Sequence, residues 1–332
     1  MKAANLRTLI VGFGHAGRDL HLPCLLRLRP LAQIGLVDPR EDAGHGLDRE
    51  LPWYRRIDQA SAFRPADTVV HVCVPPAGHI AALEAAAELG YRRFIVEKPL
   101  AASAAEAARI LALTRTGGIE VIVVANWLAS ALTDRLRWLL AQSSSPVTDV
   151  TMRQTKSRIR ASLTRRGHTS AVEVELPHLV ALARHLFGAG LEVVDAQVRD
   201  LAVGGVRLPS MGGASVRLRS PGGVRLALHS DLASPVVERS IRIGWSDGTV
   251  AHGFYPCDSR DKYSQVFVHG PDGRLAEQRF FPDDTLRRLL ARSYAWFAGS
   301  GPRPVSDAAL HHDVCRILDL TRQHDARKVR VA

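Results

Sequence analysis

The sequence has little of what marks secreted, metal-binding or membrane-spanning chains. Only four of its 332 residues are cysteines, and they show neither Cys-x-x-Cys spacing nor a Cys/His ligand pattern. This scarcity excludes a disulfide framework and gives no sign of a zinc site, so we expect no metal. Arg, Asp or Gly interrupts every apolar run well before the roughly 20 residues that a transmembrane helix needs. We therefore expect a soluble, cytoplasmic protein without a membrane partner.

Aromatic residues are also scarce, at 6% of the chain, although the formal net charge is +11. The arginines are dispersed, and the densest groups, such as Arg165-Arg166 and Arg287-Arg288, have no interleaved aromatic residues on which bases could stack. We therefore expect no nucleic-acid partner. The positive charge would instead favour an anionic cofactor or a phosphorylated small molecule.

Length and apolar patterning indicate two domains of the α/β class. In the first, residues 1–125, short β-branched runs alternate with helix-favouring segments. The runs lie at residues 6–11, 32–37, 68–74, 94–96 and 119–124, and the helical segments at residues 14–28, 80–89 and 102–114. This alternation predicts a doubly wound parallel sheet of the Rossmann type.

In the second predicted domain, residues 126–332, the pattern changes. Helices are predicted at residues 129–140 and 177–187, a strand begins near residue 147, and further strands lie at residues 192–203, 214–218, 224–230, 240–245 and 265–269. Glycine turns between the strands predict one open, mainly antiparallel sheet. Two final helices, at residues 284–297 and 306–324, are expected to pack back on the first domain. An open sheet face favours a homodimer or homotetramer.

A glycine motif follows the first predicted strand and opens the first predicted helix. It reads Gly12-Phe13-Gly14-His15-Ala16-Gly17. The first glycine permits a tight turn, the second lets the backbone approach a pyrophosphate, and the third allows close packing of helix on strand. Because the helix N-terminus also offers free N–H groups to an anion, the motif predicts a dinucleotide site.

Asp38 ends the second predicted strand, 21 residues after Gly17. A carboxylate at this position accepts hydrogen bonds from the adenosine ribose hydroxyls and repels a 2′-phosphate, which favours NAD. Arg40, two residues further on, would instead bind the 2′-phosphate of NADP. Both cofactors stay open, with NAD slightly favoured.

Three further motifs complete the pattern. They are Val72-Cys73-Val74-Pro75-Pro76-Ala77-Gly78-His79, Glu97-Lys98-Pro99 and His178. With the glycine motif they resemble the Gfo/Idh/MocA oxidoreductase family, which includes glucose-fructose oxidoreductase and inositol dehydrogenase. The resemblance spans nearly the whole chain, and the E-K-P tripeptide is its most specific element. It implies a Rossmann half, a second half with an open antiparallel sheet, and oxidation or reduction of sugars and cyclitols.

The resemblance also implies catalytic residues. Lys98, followed by a cis bond to Pro99, would lie beside the reacting hydroxyl or carbonyl, where an ammonium stabilises negative charge on oxygen. His178, in the first turn of a helix that begins at Pro177, would be the acid/base that moves the hydroxyl proton.

The chain departs from the family's pattern at two positions. The family has Asp four residues before the catalytic histidine, where this chain has Val174 between Glu173 and Glu175. We expect Glu175 to supply the carboxylate, with Glu173 as the alternative. An arginine that often follows the last strand of the first half is absent, and Asn126-Trp127 stands there.

Together the motifs assign a set of positions to the cofactor: Gly12, Phe13, Gly14, His15, Ala16, Gly17, Asp38, Arg40, Val74, Pro75, Pro76, His79, Glu97, Lys98 and Asn126. Candidate substrate contacts are Lys98, Trp127, Lys156 and His178, followed by Arg158 and His168. The tryptophan would stack on an apolar sugar face.

These residues predict hydride transfer between nicotinamide and a hydroxyl or carbonyl carbon of a sugar, cyclitol or amino-sugar. Two alternatives stay open. One is an imine reductase of natural-product biosynthesis, for which the altered carboxylate matters less. The other is a dinucleotide-binding sensor or regulator without catalysis.

Overall fold

The computed structural model describes residues 6–28, 33–44, 51–164, 169–257 and 262–331, with side chains as far as residue 325. The chain folds into two compact units. The first comprises Met1–Val124 and Leu286–Cys315, and the second comprises Ala125–Thr285 and Arg316–Ala332. Each unit contains one of the two β-sheets.

The first unit is built on a six-stranded parallel sheet. Its strands are β1 (Arg7–Val11), β2 (Ile34–Val37), β3 (Trp53–Tyr54), β4 (Thr68–Val72), β5 (Arg93–Val96) and β6 (Glu120–Val123). They lie in the order β3-β2-β1-β4-β5-β6, with every neighbouring pair parallel. Every residue of β2 and β4 is buried, as a sheet covered on both faces requires. The predicted doubly wound sheet is confirmed, and β3 is an addition to it.

Helical segments connect these strands. The sequence predicts one helix over residues 14–28, whereas the structure has a π-helical turn, Ala16–His21, followed by the short helix α1 (Leu22–Leu25). Pro23 lies in the first turn of α1, where its missing amide N–H interrupts no bond of that helix. A single regular helix would have needed that amide, which explains the difference. The helices α2 (His79–Glu88) and α3 (Ala104–Thr116) follow β4 and β5 as predicted.

The second unit is built on an eight-stranded sheet. In chain order its elements are α4 (Ala131–Gln142), β7 (Val147–Thr155), α5 (Ile159–Thr164), α6 (Ala171–Val174), α7 (Leu176–Phe187), β8 (Glu192–Val203), β9 (Val206–Arg219), β10 (Arg225–Asp231), β11 (Glu238–Trp245), β12 (Val250–Phe254), β13 (Tyr263–His269) and β14 (Leu275–Pro282). The strands lie in the order β14-β13-β12-β11-β7-β10-β9-β8, and only β7 and β10 pair in parallel. The predicted open, mainly antiparallel sheet is thus confirmed.

Two C-terminal helices complete the chain, α8 (Thr285–Phe297) and α9 (Ala308–Val331). The segment between them bonds to β6, because Val123 N donates to Ser306 O at 2.8 Å. Ala308 and Cys315, at the start of α9, pack in the hydrophobic core of the first unit. No helix in the described ranges has both the length and the apolar character needed to cross a membrane.

Candidate functional site

The glycine loop lies at the carboxyl end of β1, next to the point where the strand order of the first sheet reverses. Gly12 has φ +89°, and a Cβ there would lie 2.7 Å from Val74 N. A Cβ on Gly17 would collide with the Gly12 carbonyl oxygen. Gly14 differs, because among the described residues no atom beyond its chain neighbours lies within 4 Å of the place where its Cβ would be. Gly12 and Gly17 therefore allow close packing, whereas Gly14 leaves open space for a ligand at the loop.

Asp38 and Arg40 form a closed pair at the end of β2. The Arg40 guanidinium donates to Asp38 through Nε at 2.9 Å and Nη2 at 2.8 Å, and Phe13 N donates to Asp38 Oδ2 at 2.7 Å. Burial raises the pKa of Asp38, but the bonds from the Arg40 side chain, Phe13 N and Arg40 N outweigh burial, so the pKa lies below its ordinary value. The Asp38 side chain is 4% exposed and that of Arg40 58% exposed. The part of this pair that is exposed to solvent is therefore the Arg40 guanidinium.

The predicted Pro-Pro turn follows β4 and forms a 3-10 turn, Pro76–Gly78. Pro75 is exposed, whereas His79 is completely buried. The His79 ring lies 2.9 Å from Val74 O through Nε2 and 3.1 Å from Leu100 O through Nδ1. The histidine thus links the turn after β4 to the segment after β5, while Pro75 is exposed and Pro76 half-buried.

The E-K-P tripeptide follows β5, and its Lys98-Pro99 peptide bond is cis, as the resemblance implies. Both carboxylate oxygens of Glu97 are bonded. Oε1 lies 2.9 Å from His21 Nε2, and Oε2 accepts from Lys98 N at 3.2 Å. Burial raises the pKa of Glu97, but the hydrogen bond and the charge of His21, with the charge of Lys98, lower it below its ordinary value.

In the second unit, Glu175 is the buried centre of a charged cluster. Its Oε1 lies 2.5 Å from Lys156 Nζ and 3.7 Å from Arg158 Nη1, and Gln154 Nε2 donates to Oε2. Glu173 has different partners, since Thr169 Oγ1 donates to it at 2.9 Å and Arg322 Nη1 lies at 3.5 Å. The two glutamates are therefore held by separate sets of contacts.

His178 lies in the first turn of α7, after Pro177, as predicted. The ring of Trp127 stacks on His178 at 6.0 Å between centroids and on Tyr255 at 4.3 Å. Trp127 is only 3% exposed. Its ring thus packs against the imidazole and the phenol instead of presenting a wide open face.

The remaining predicted positions are scattered. His15 is exposed and lies 2.7 Å from Asp19. Asn126 Nδ2 donates to Thr285 Oγ1 at 2.8 Å, within the second unit. His168 lies outside the described residues. Of the predicted cofactor residues, those at the ends of β1, β2, β4 and β5 share one edge of a parallel sheet.

Sequence reasoning missed three residues that touch the predicted ones: His21, which contacts Glu97, Gln154, which contacts Glu175, and Tyr255, which stacks on Trp127. It also missed His71 and Tyr294, which continue the contacts of His21 in the first unit. His21 follows the glycine motif by four residues, and that proximity was the one available clue. The others are distant in sequence from their partners.

A parallel sheet with this strand order and a glycine loop at its switch point defines the class as a dinucleotide-binding Rossmann fold. Residues 6–124 match the model of the GFO_IDH_MocA oxidoreductase family, described as an NAD-binding Rossmann fold. This match confirms the resemblance that the motifs indicate.

Solved structures with the same fold include KijD10, a 3-ketoreductase from Actinomadura kijaniata in complex with NADP and TDP-benzene. It is 17% identical, with a TM-score of 0.77 over 96% of this chain and 97% of that one. The UDP-N-acetylglucosamine 3-dehydrogenase GnnA from Acidithiobacillus ferrooxidans is also 17% identical, with a TM-score of 0.73 over 96% and 97% of the two chains. At this identity the likeness shows the fold alone. No curated protein matches the chain.

Proposed function

We propose that the protein uses a nicotinamide dinucleotide to interconvert a hydroxyl and a carbonyl carbon on a sugar. The observation that carries this proposal is the edge of the first sheet, where the open glycine loop and the E-K-P tripeptide follow strands β1 and β5. A ligand bound across the carboxyl ends of these strands would meet both. Bound there, nicotinamide would supply the donor or acceptor of a hydride.

The residues at this edge fit a dinucleotide. Gly14 leaves space at the loop, so that backbone N–H groups can approach a pyrophosphate. Asp38 and Arg40, at the end of the next strand, are placed for the adenosine ribose. Because Arg40 already neutralises the Asp38 carboxylate and is the exposed member, we propose NADP(H) as the preferred cofactor, although the sequence alone slightly favours NAD.

We propose separate catalytic roles for one residue of each unit. Lys98 stabilises negative charge on the substrate oxygen, a role that needs a fixed ammonium. His178, in the first turn of α7, moves the hydroxyl proton. Glu175 orients Lys156, the proposed polar contact to the substrate.

For the substrate we propose a sugar linked to a nucleoside diphosphate. KijD10 was solved with a thymidine nucleotide, and GnnA is named for a uridine-linked sugar. The charge of this chain suits such an anionic substrate, because its formal net charge is +11.

The test is turnover by the purified protein with NADP(H) and a panel of nucleotide-linked sugars, free sugars, cyclitols and cyclic imines, followed through nicotinamide absorbance. We predict that Lys98→Met abolishes turnover while cofactor binding is retained, because the ammonium acts on charge that develops during reaction. Lys262→Met is the matched control, since Lys262 forms an ion pair with Asp284 at 2.5 Å in the second unit. We also expect His178→Asn to lower kcat by about 100-fold.

Unchanged turnover by Lys98→Met would refute its role. Turnover of cyclic imines but no sugar would identify an imine reductase. Tight dinucleotide binding without turnover of any panel member would identify a sensor or regulator.

A further inference from the structure

Five polar side chains form a continuous chain of contacts that begins at the partly buried Glu97 of the E-K-P tripeptide, all within the first unit. Glu97 Oε1 lies 2.9 Å from His21 Nε2, and His21 Nδ1 lies 2.7 Å from His71 Nδ1. His71 Nε2 lies 3.0 Å from the Tyr294 hydroxyl, which in turn lies 2.5 Å from Thr8 Oγ1. Thr8, His21 and His71 are completely buried. We call this set the polar chain.

Glu97 is the only carboxylate of the polar chain and lies at one end of it. Glu97 receives hydrogen bonds on both oxygens, one from the imidazole and one from the Lys98 backbone amide. A buried carboxylate is costly unless a positive charge accompanies it. A doubly protonated His21 supplies that charge and donates from both ring nitrogens, to Glu97 and to His71. His71 then donates to Tyr294, so every ring nitrogen of the two histidines has a partner.

The backbone that carries His21 has an unusual conformation, which affects the contact between His21 and Glu97. His21 is the last residue of the π-helical turn, and Leu22 N donates to Gly17 O, five residues back. Turns of this kind are rare and occur mostly at functional sites. A π-helical turn contains one residue more than an α-helical turn, and one residue of an α-helix corresponds to a rotation of about 100°. In a regular α-helix the His21 side chain would therefore point about 100° away from Glu97. The extra residue thus aims the imidazole at Glu97.

We propose that His21 is a positioning residue for Lys98: as a buried imidazolium, it neutralises Glu97 and holds that carboxylate against the Lys98 backbone amide. The catalytic role of Lys98 rests on the proposed function, whereas the role of His21 toward Glu97 does not. His21 acts through Glu97 and touches neither substrate nor cofactor.

The surroundings of His21 support the charged form. Its neighbours are Glu97, His71 and Cys73, which lie at or after the ends of β4 and β5. Burial lowers the pKa of His21, but its contacts with Cys73 and with the Glu97 carboxylate outweigh burial, so the pKa lies above its ordinary value of 6.5. Burial raises the pKa of the Cys73 thiol, so at neutral pH Glu97 carries the negative charge beside His21.

The sign of the pH dependence follows from this pKa. Because the folded-state pKa of His21 lies above 6.5, its contribution to stability is fully present below pH 6.5 and is lost as the pH rises towards 10. The unfolding midpoint of the wild-type protein should therefore fall over this interval, and His21→Gln should fall less steeply. A neutral His21 ring at neutral pH, observed by NMR of the wild-type protein, would overturn the proposal. This measurement does not need the variant, so it decides even if His21→Gln fails to fold.

His311→Gln is the matched control. His311 is also completely buried in the first unit, with Nε2 2.9 Å from Ser306 Oγ, but burial lowers its pKa to about 3. Its protonation therefore affects stability only as the pH falls below 6.5. We expect this variant to lose stability while keeping the wild-type slope at alkaline pH.

The effect on Lys98 itself is measured by acetylation of its amine with acetic anhydride, followed by mass spectrometry. Without His21 the unpaired Glu97 carboxylate should hold the ammonium proton more tightly, so His21→Gln should lower the acetylation rate about 10-fold, and His311→Gln should not change it. Where turnover is observed, His21→Gln should lower kcat about 10- to 100-fold with little change in KM.

An unchanged Lys98 acetylation rate in His21→Gln would overturn the positioning role. This readout needs no substrate. Failure of the turnover assay in the wild-type protein would therefore count against the proposed function, and the acetylation rates would still decide on His21.

Discussion

At the level of single residues, the choice between the two cofactors depends on Asp38 and Arg40. The carboxylate is buried and bonded by the guanidinium through two nitrogens, and the guanidinium is more than half exposed. A bare carboxylate would repel a 2′-phosphate, but one that is already neutralised by arginine repels it much less. With the cofactor bound as we propose, the pair would present a cation to the adenosine end of the dinucleotide.

We predict that Arg40→Ala weakens NADP binding about 10-fold or more, because a charge-assisted bond to phosphate is lost. NAD binding should change less than about twofold, since NAD has no 2′-phosphate. Arg56→Ala is the matched control, because Arg56 bonds Asp58 through Nε at 3.1 Å and Nη2 at 2.7 Å on the same unit. Calorimetric titration with both dinucleotides measures the effect, and equal losses for NAD and NADP would contradict it.

Residue identities alone predict some of this site and not the rest. The glycine motif and the E-K-P tripeptide are local patterns whose chemistry follows from their place after strands. The bond between His21 and Glu97 joins residues 76 positions apart, and that between Gln154 and Glu175 joins residues 21 apart. Such pairs depend on strand register and helix phase, which one sequence does not reveal.

Among the elements, the glycine loop and the π-helical turn that follows it shape the sheet edge at which we propose that the dinucleotide binds. Gly12 and Gly14 are two residues apart, yet their surroundings are opposite. A Cβ at Gly12 would meet the backbone of Cys73 and Val74, whereas one at Gly14 would meet no atom of the part of the chain that the structure describes, its two chain neighbours aside. We therefore expect a glycine at position 12 to be needed for folding and a glycine at position 14 to be needed for dinucleotide binding.

We predict that Gly14→Ala keeps the wild-type unfolding midpoint and weakens dinucleotide binding by about 10-fold, because the methyl group occupies space that the pyrophosphate needs. Gly12→Ala should instead destabilise the protein, by about 1–3 kcal/mol from its positive φ alone. Thermal unfolding and dinucleotide titration of both variants measure this difference. Normal cofactor affinity in Gly14→Ala would show that the pyrophosphate does not approach this loop.

Element prediction succeeded where the patterns are strong and failed where they are mixed. The buried strands of the first sheet are short β-branched runs, and each was predicted within a few residues. Strands β12 and β14 were missed because one contains His252 and Gly253, and the other contains charged residues with an exposed face. Their strand conformation is imposed by pairing with neighbours, as β-propensity generally allows.

On the scale of the whole molecule, the chain does not divide at one point. Residues 286–315 return to the first unit, and Tyr294 within them joins His71 to Thr8 in the polar chain. The sequence predicted two C-terminal helices that pack back on the first domain, but no local pattern predicts which residues Tyr294 contacts. Association of copies through the open sheet stays a prediction.

The central claim is hydride transfer between a nicotinamide and a sugar carbon, with Lys98 required for that step. The most direct measurement uses NADPH that carries deuterium at both positions of nicotinamide C4, together with a nucleotide-linked keto-sugar, and mass spectrometry of the product. We predict one deuterium on the carbon that was the carbonyl, and none with Lys98→Met under conditions in which the variant still binds the cofactor. A product without deuterium, or equal labelling by the variant, would contradict it.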